Sequence, residues 1–426
     1  MLAPPIPCWF FEGPRLEIPA RGASLNLSGN VLDGCTDAMT DLHLATIRAR
    51  FEENFARRGE LGAAVSIWHE GREALFLSGG WRDRQHTIPW TADTLVLIWS
   101  ITKGLAAACL LHILATDGIG LETPVAALWP EFAAGGKAAT TLAGLLSHRA
   151  GLMALEDPNP SIFDHAAVAA ALAAQRPIHS PAGGHGYHAR TYGFLLDELV
   201  RRLRPAHTLG SYWREQLAGP LGLEIWIGLP EDQDHRVAAV YPARMSTGQP
   251  LDPFYDALAD EASLTRRAFA GPRGLHSVAS MNTPAARRAA LPSLGGIGTA
   301  RALGKFYAML ANGGRIDGRT FFPPSALAWM RTPLASGPDA VLCLETAFSA
   351  GFMQDPLGAD GRKLRSHFGP SPSAFGQPGA GGGHVLADPE NHIAFAYLMN
   401  QMELGVLPNA KSLSMVAAIY GRDWPA

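Results

Sequence analysis

A serine three residues ahead of a lysine, Ser100-Ile101-Thr102-Lys103, is the combination in this 426-residue sequence best suited to covalent chemistry. If Ser100 opens a helix, positions i and i+3 share a face with their Cβ atoms about 5–6 Å apart. A serine hydroxyl is a poor nucleophile until a base removes its proton. A lysine amine is such a base when desolvation or nearby cations lower its pKa. The helix N-terminus disfavours the lysine cation and leaves backbone N–H groups, that of Ser100 included, to receive an oxyanion. Lysine is also scarce: only Lys103, Lys137, Lys305, Lys363 and Lys411 stand among 35 basic residues. Of the five, Lys103 alone follows a serine at this spacing. Apolar runs (Leu95-Val96-Leu97-Ile98-Trp99, then Leu105 to Leu111) flank it, so a charge there is costly.

The elements that must position this pair follow from pattern. Strong helix formers run from Ser100 to Asp117-Gly118. Upstream, Leu44, Ile47, Phe51 and Phe55 mark a helix from Asp41 that ends before Gly59. Ala63–Trp68 and Ala74–Leu77 alternate around Glu70-Gly71 as an antiparallel hairpin. Gly383–Ala387 and Ile393–Met399 form a second hairpin around Asp388-Pro389-Glu390-Asn391, where Asp388 and Asn391 read as turn formers. Helices are predicted over Tyr192–Leu203, Ser211–Leu217, Thr299–Asn312 with Thr299 as N-cap, and Asn409–Tyr420. The stretch 230–295 has little periodicity and reads as extended loop. Strands at both ends with helices between imply an α+β fold, one antiparallel sheet built from both termini. The expected division is an irregular arm over 1–36, a discontinuous α/β domain over 37–119 and 295–426, and a mainly helical and loop domain over 120–294 lining the pocket.

Several function classes are excluded. With 35 basic against 38 acidic residues, net charge −3, the chain lacks the basic surplus of a nucleic-acid binder. Cys8, Cys35, Cys109 and Cys343 are widely spaced with no CxxC pair, which argues for buried thiols in a reducing compartment. No HExxH occurs, and His185 and His188 lie in a Gly-rich stretch that reads as loop, so no metal site is expected. The absence of Gly-x-Ser-x-Gly weakens an α/β-hydrolase reading. No signal sequence or membrane span is visible, and a cytoplasmic location is expected. His148 reads as a structural loop residue and Trp99 as core.

Several ordered motifs add to Ser100-Ile101-Thr102-Lys103. They are Val125-Ala126-Ala127-Leu128-Trp129-Pro130-Glu131-Phe132, Leu145-Leu146-Ser147-His148-Arg149-Ala150-Gly151-Leu152 and Gly186-Tyr187-His188-Ala189-Arg190-Thr191-Tyr192-Gly193. Further on come Gly296-Ile297-Gly298-Thr299-Ala300-Arg301 and Phe375-Gly376-Gln377-Pro378-Gly379-Ala380-Gly381-Gly382. With these the chain, from Gly34 to the C-terminus, resembles the serine β-lactamase/penicillin-recognising superfamily, most closely its family VIII carboxylesterases. The resemblance implies a β-lactamase-like fold, no cofactor, Ser100 as acylated nucleophile and Lys103 as its proton acceptor. It aligns Tyr187 with the tyrosine of a Tyr-x-Asn motif, where a nearby lysine cation can lower the phenol pKa and allow proton relay. It places the third motif on Gln377-Pro378-Gly379, with the edge-strand N–H of Ala380 joining that of Ser100 as oxyanion donor. Two departures stand out: Ala189 replaces the asparagine and Gln377 the lysine with which lactamases anchor a β-lactam. Gln377, Gly379 and Ala189 are therefore expected at a substrate site suited to small, neutral or apolar acyl esters of short to medium length. The alternatives are a β-lactamase, D-amino-acid peptidase or acyltransferase on the same machinery, or a non-catalytic binding member of the fold.

Overall fold

Glu70 and Gly71 turn the chain back on itself with φ of 51° and 76° in the computed structural model of the protein, which describes residues 28–31, 41–179, 184–244 and 252–423. Two successive positive φ values match the right-handed twist of the flanking strands, and the glycine carries the second without strain. In chain order the strands are β1 (Ser28–Val31), β2 (Gly62–His69), β3 (Arg72–Gly80), β4 (Val96–Leu97), β5 (Ile225–Ile227) and β6 (Gly296–Gly298). They continue with β7 (Arg315–Ile316), β8 (Arg319–Thr320), β9 (Ala335–Pro338), β10 (Glu345–Phe348), β11 (Met353–Gln354), β12 (Phe375–Gly376), β13 (His384–Asp388) and β14 (Ile393–Met399). Nine form one antiparallel sheet in the order β1-β3-β2-β14-β13-β12-β11-β10-β9. Strands from both ends of the chain meet at β2 and β14, as expected of an α+β fold. One expectation is corrected: within the arm read as irregular, Ser28–Val31 pairs with β3.

Helical layers cover both faces of the sheet. Side chains alternate along a strand. Ser66 and Trp68 of β2 meet Gly304 of the helix Ala300–Ala311, and Arg301 of that helix lies over Phe76 of β3. On the opposite parity, Tyr397, paired in register with Val65, reaches Asn54 of helix α1 (Asp41–Arg57). α1 buries Leu44, Ile47 and Phe51 and packs against the helix Ala410–Ile419. Thr299 caps its helix by accepting the Ala302 N–H at 3.2 Å.

Helix α2 (Ile101–Asp117) is buried over almost its whole first three turns, Ile101 to Leu111. A helix apolar on every side belongs in a protein interior. Its start is bolted to the three-stranded sheet β4-β6-β5: Ile98 N–H donates to Gly296 O at 2.9 Å, and Gly296 N–H donates to Thr102 Oγ1 at 2.9 Å.

The stretch expected as extended loop over 230–295 departs from that reading. It holds short helices at Glu231–Arg236, Pro253–Ala259, Leu264–Ala270, Val278–Met281 and Pro284–Arg288. Each of the last four begins on a side-chain cap, from Asp252, Ser263, Ser277 and Thr283. Cysteine placement is also corrected in part: Cys109 is buried but Cys343 is exposed, while Cys8 and Cys35 lie outside the described residues. Among the described residues no helix is long and apolar enough to cross a membrane.

Candidate active site

Ser100 stands immediately before α2 with φ −67° and ψ −9°, and its hydroxyl makes no capping bond. The oxygen is thus left for Lys103 Nζ, which lies 3.2 Å away on the same helical face. Lys103 is fully buried and donates to two main-chain carbonyls, Ala189 O and Ser293 O, each at 2.8 Å. A neutral amine has two N–H donors and one lone pair. With two carbonyls taking two N–H donors, the third position on Nζ faces Ser100 Oγ: an ammonium donates to the hydroxyl there, and a neutral amine accepts from it. Burial, helped by the nearby Arg190 cation, pushes the Lys103 amine well below its ordinary pKa.

Lys137 gives the contrast. It too is buried, but its Nζ donates to three carbonyls, Ala134 O, Ala173 O and Gln175 O, the full donor set of an ammonium. The remaining lysines pair with acids: Lys305 with Asp317, Lys363 with Asp355, and Lys411 with Glu60 and Glu403.

Tyr187 comes from the middle of the chain and reaches the same point. Its hydroxyl accepts from Gln377 Nε2 at 3.3 Å on the Ser100 side, and Lys103 Nζ sits 4.7 Å from its ring centre. The expected lowering of the phenol pKa is reversed. Desolvation dominates, and the phenol is pushed above its ordinary value. Burial thus shifts both groups toward their neutral forms, the amine downward and the phenol upward.

The two expected oxyanion donors come from separate elements, Ser100 from the start of α2 and Ala380 from the turn before β13. Gln377 and Gly379 send their N–H groups toward β13, to Val385 O at 3.3 Å and Gly383 O at 2.8 Å. Pro378 has no N–H, and beyond Gly379 the chain turns away, with Gly381 N–H donating to Gly405 O at 3.1 Å. Neither Ser100 N–H nor Ala380 N–H has a backbone acceptor among the described residues. Gly379 packs against the segment leading into Ser100: a Cβ there would lie 2.8 Å from Ile98 O, two residues before Ser100. Ala380 sits in the turn closed by Gly382 N–H to Gly379 O at 3.2 Å rather than on an edge strand, and β12 lies inside the sheet.

Other predicted residues find different work. Ala189 offers its carbonyl to Lys103, and the Gln377 side chain is engaged with Tyr187. Trp99 is half-buried with φ 49°, so the residue before Ser100 carries backbone strain and is only partly core. His148 is structural: its Nδ1 accepts the His188 N–H at 3.2 Å, and its ring packs on Tyr192 at 4.5 Å and Tyr187 at 5.0 Å. His188 uses both nitrogens on the backbone, donating to Gly186 O and accepting from Leu152 N–H. Two contributors carried no recognisable signal. Ser293 holds Lys103 by its carbonyl, and its hydroxyl accepts the Gly193 N–H at 2.6 Å and donates to Arg190 O at 2.9 Å. Asp339, buried, accepts the Tyr187 N–H at 3.1 Å.

Known proteins share this arrangement of chain. The profile of the family described as Beta-lactamase matches residues 47–416. The Esterase/beta-lactamase LipL of Mycobacterium tuberculosis is 32% identical over 368 residues, 85% of this chain and 82% of its own length. A solved family VIII carboxylesterase superposes with a TM-score of 0.79 at 32% identity, covering 90% of this chain and 99% of that one. A penicillin-binding protein homologue from Caulobacter crescentus does so with a TM-score of 0.78 at 34% identity, covering 91% and 99%. A family match over most of the chain, carried on a sheet and helices of the same topology, makes this protein a member of the beta-lactamase family of serine hydrolases.

Proposed function

We propose that the protein is a serine carboxylesterase that cleaves small, uncharged esters of short to medium acyl chains through an acyl-enzyme on Ser100. The observation that carries this reading is the environment of Lys103 Nζ: two carbonyls at 2.8 Å, the Ser100 hydroxyl at 3.2 Å, and a burial that pushes the amine below its ordinary pKa. In this mechanism Lys103 takes the Ser100 proton as Oγ bonds to the ester carbonyl carbon. The N–H groups of Ser100 and Ala380 hold the resulting oxyanion. Collapse breaks the bond to the alcohol, whose oxygen takes a proton from the neutral Tyr187 phenol, and the proton on Lys103 restores the phenol. Water then attacks the acyl-enzyme by the reverse proton path, releasing acid and free Ser100.

The division of labour proposed for the chain follows. Residues 37–119 and 295–426 supply the nucleophile, its base and the oxyanion turn, while 120–294 supply Tyr187 and the pocket wall.

The acyl preference rests on Ala189 and Gln377, neither of which offers a cation to a substrate carboxylate. The Gln377 amide is engaged with the Tyr187 hydroxyl, and the Arg190 guanidinium donates to the carbonyls of Pro272, Gly274 and Leu275. The names of the relatives, esterase/beta-lactamase and carboxylesterase, support ester hydrolysis as the reaction class. Hydrolysis of p-nitrophenyl esters of increasing chain length, compared with a chromogenic cephalosporin, tests the reading. The expected result is a kcat/KM for short and medium esters well above that for the cephalosporin. A preference for the cephalosporin would favour the lactamase alternative.

A further inference from the structure

The sequence around Asp339 carries no motif, yet its side chain joins two distant parts of the chain. Asp339 is 3% exposed, and its Oδ1 accepts three backbone N–H groups. Two come from its own turn, Val341 at 2.8 Å and Leu342 at 2.9 Å. The third is the N–H of Tyr187 at 3.1 Å, 152 residues away. We propose that Asp339 is a positioning residue: its Oδ1 fixes the main chain of Tyr187, and so sets where the Tyr187 hydroxyl meets Ser100.

The argument is geometric. The two local bonds lock the Asp339 side chain against its own turn, as in other Asx turns. Its third bond therefore hangs from a fixed point rather than from a free rotor. Thr346 Oγ1 donates to Oδ2 at 3.3 Å and lies 2.6 Å from His185 Nε2, so the second oxygen is also held. Ala340 N–H donates to His185 O at 3.1 Å, a second strap between the same two segments. Phe348 of β10, beyond this turn, stacks on the Tyr187 ring at 6.1 Å and 18°. The Tyr187 backbone and ring are thus both held by the β9–β10 edge of the sheet, while Ser100 and Lys103 are held by α2. Proton transfer requires the two supports to agree. A displacement of about 1 Å at a reacting group costs on the order of 100-fold in rate.

This proposal rests on the reading of Tyr187 as proton carrier, and the test separates the two. Asp339→Asn keeps an oxygen for all three N–H groups. Asp339→Ser keeps the local turn through its hydroxyl but is too short to reach Tyr187. With a p-nitrophenyl ester, Asp339→Asn is expected to retain kcat within about threefold. Asp339→Ser is expected to lose about 100-fold in kcat at nearly constant KM. On a Tyr187→Phe background, Asp339→Ser should cost almost nothing further, because the two act as one unit. A wild-type kcat in Asp339→Ser overturns the proposal, as does a full additional loss on the Tyr187→Phe background. Equal damage in Asp339→Asn also overturns it, since charge rather than the oxygen's position would then matter. If Tyr187→Phe is itself fully active, the reading of Tyr187 fails instead.

Discussion

Lys103 Nζ stands 3.2 Å from Ser100 Oγ and is held there by the main-chain oxygens of Ala189 and Ser293. A carboxylate in their place would stabilise the ammonium and raise its pKa. Neutral carbonyls orient the amine without charging it. In the proposed mechanism nucleophile and base thus stand at the first turn of one helix, beside the backbone N–H proposed to receive the oxyanion.

The activity should follow the Lys103 amine. The base works only when deprotonated, so kcat/KM should rise with pH through an apparent pKa well below the ordinary lysine value of about 10.4, and fall as pH drops through it. A pH profile with a chromogenic ester checks this. A rise confined to the ordinary lysine range would contradict it.

Tyr187→Phe removes the hydroxyl that accepts from Gln377 beside Ser100 and should lower kcat by about 10²–10⁴-fold. Because burial pushes the wild-type phenol up, activity should show no alkaline fall near pH of about 10, where a free phenol ionises. Steady-state kinetics on both proteins checks both statements.

The two lysines buried on main-chain carbonyls should part company on substitution. Lys137→Met strands three buried carbonyls and should destabilise the fold by about 3 kcal/mol, read as a denaturation midpoint, with kcat nearly unchanged. Lys103→Met should abolish turnover.

Acid should loosen the Tyr187 segment. Burial holds His188 down to about 3 and His148 well below its ordinary value, and each accepts a backbone N–H only when neutral. Their folded-state pKa values lie below the unfolded value of about 6.5, so the unfolded chain binds more protons as pH falls. Stability should therefore be full above that value and decline steadily toward pH 3. Urea midpoints across this range measure it, and His188→Gln should flatten the slope.

What was legible in the sequence, and what was not, has a physical basis. Ser100 and Lys103 are neighbours on one helix, so their spacing and apolar flanks announce them. The hairpins and long helices show because alternation or helical period persists over many residues. The helices within 230–295 run four to seven residues, too short for a period, although their caps at Asp252, Ser263, Ser277 and Thr283 are visible in retrospect. Tyr187 emerges only through a motif. Ser293 and Ala189 were illegible as supports for Lys103 because each acts through a carbonyl that every residue possesses. Asp339 was illegible because its bond to Tyr187 spans 152 residues.

The central claim is an acyl-enzyme on Ser100. Its most direct test is intact-mass and peptide analysis of protein quenched during turnover of a p-nitrophenyl ester, with Ser100→Ala in parallel. The account predicts one acyl adduct on the peptide carrying Ser100, with neither adduct nor turnover in Ser100→Ala. An adduct on another residue, or turnover retained without Ser100, would contradict it.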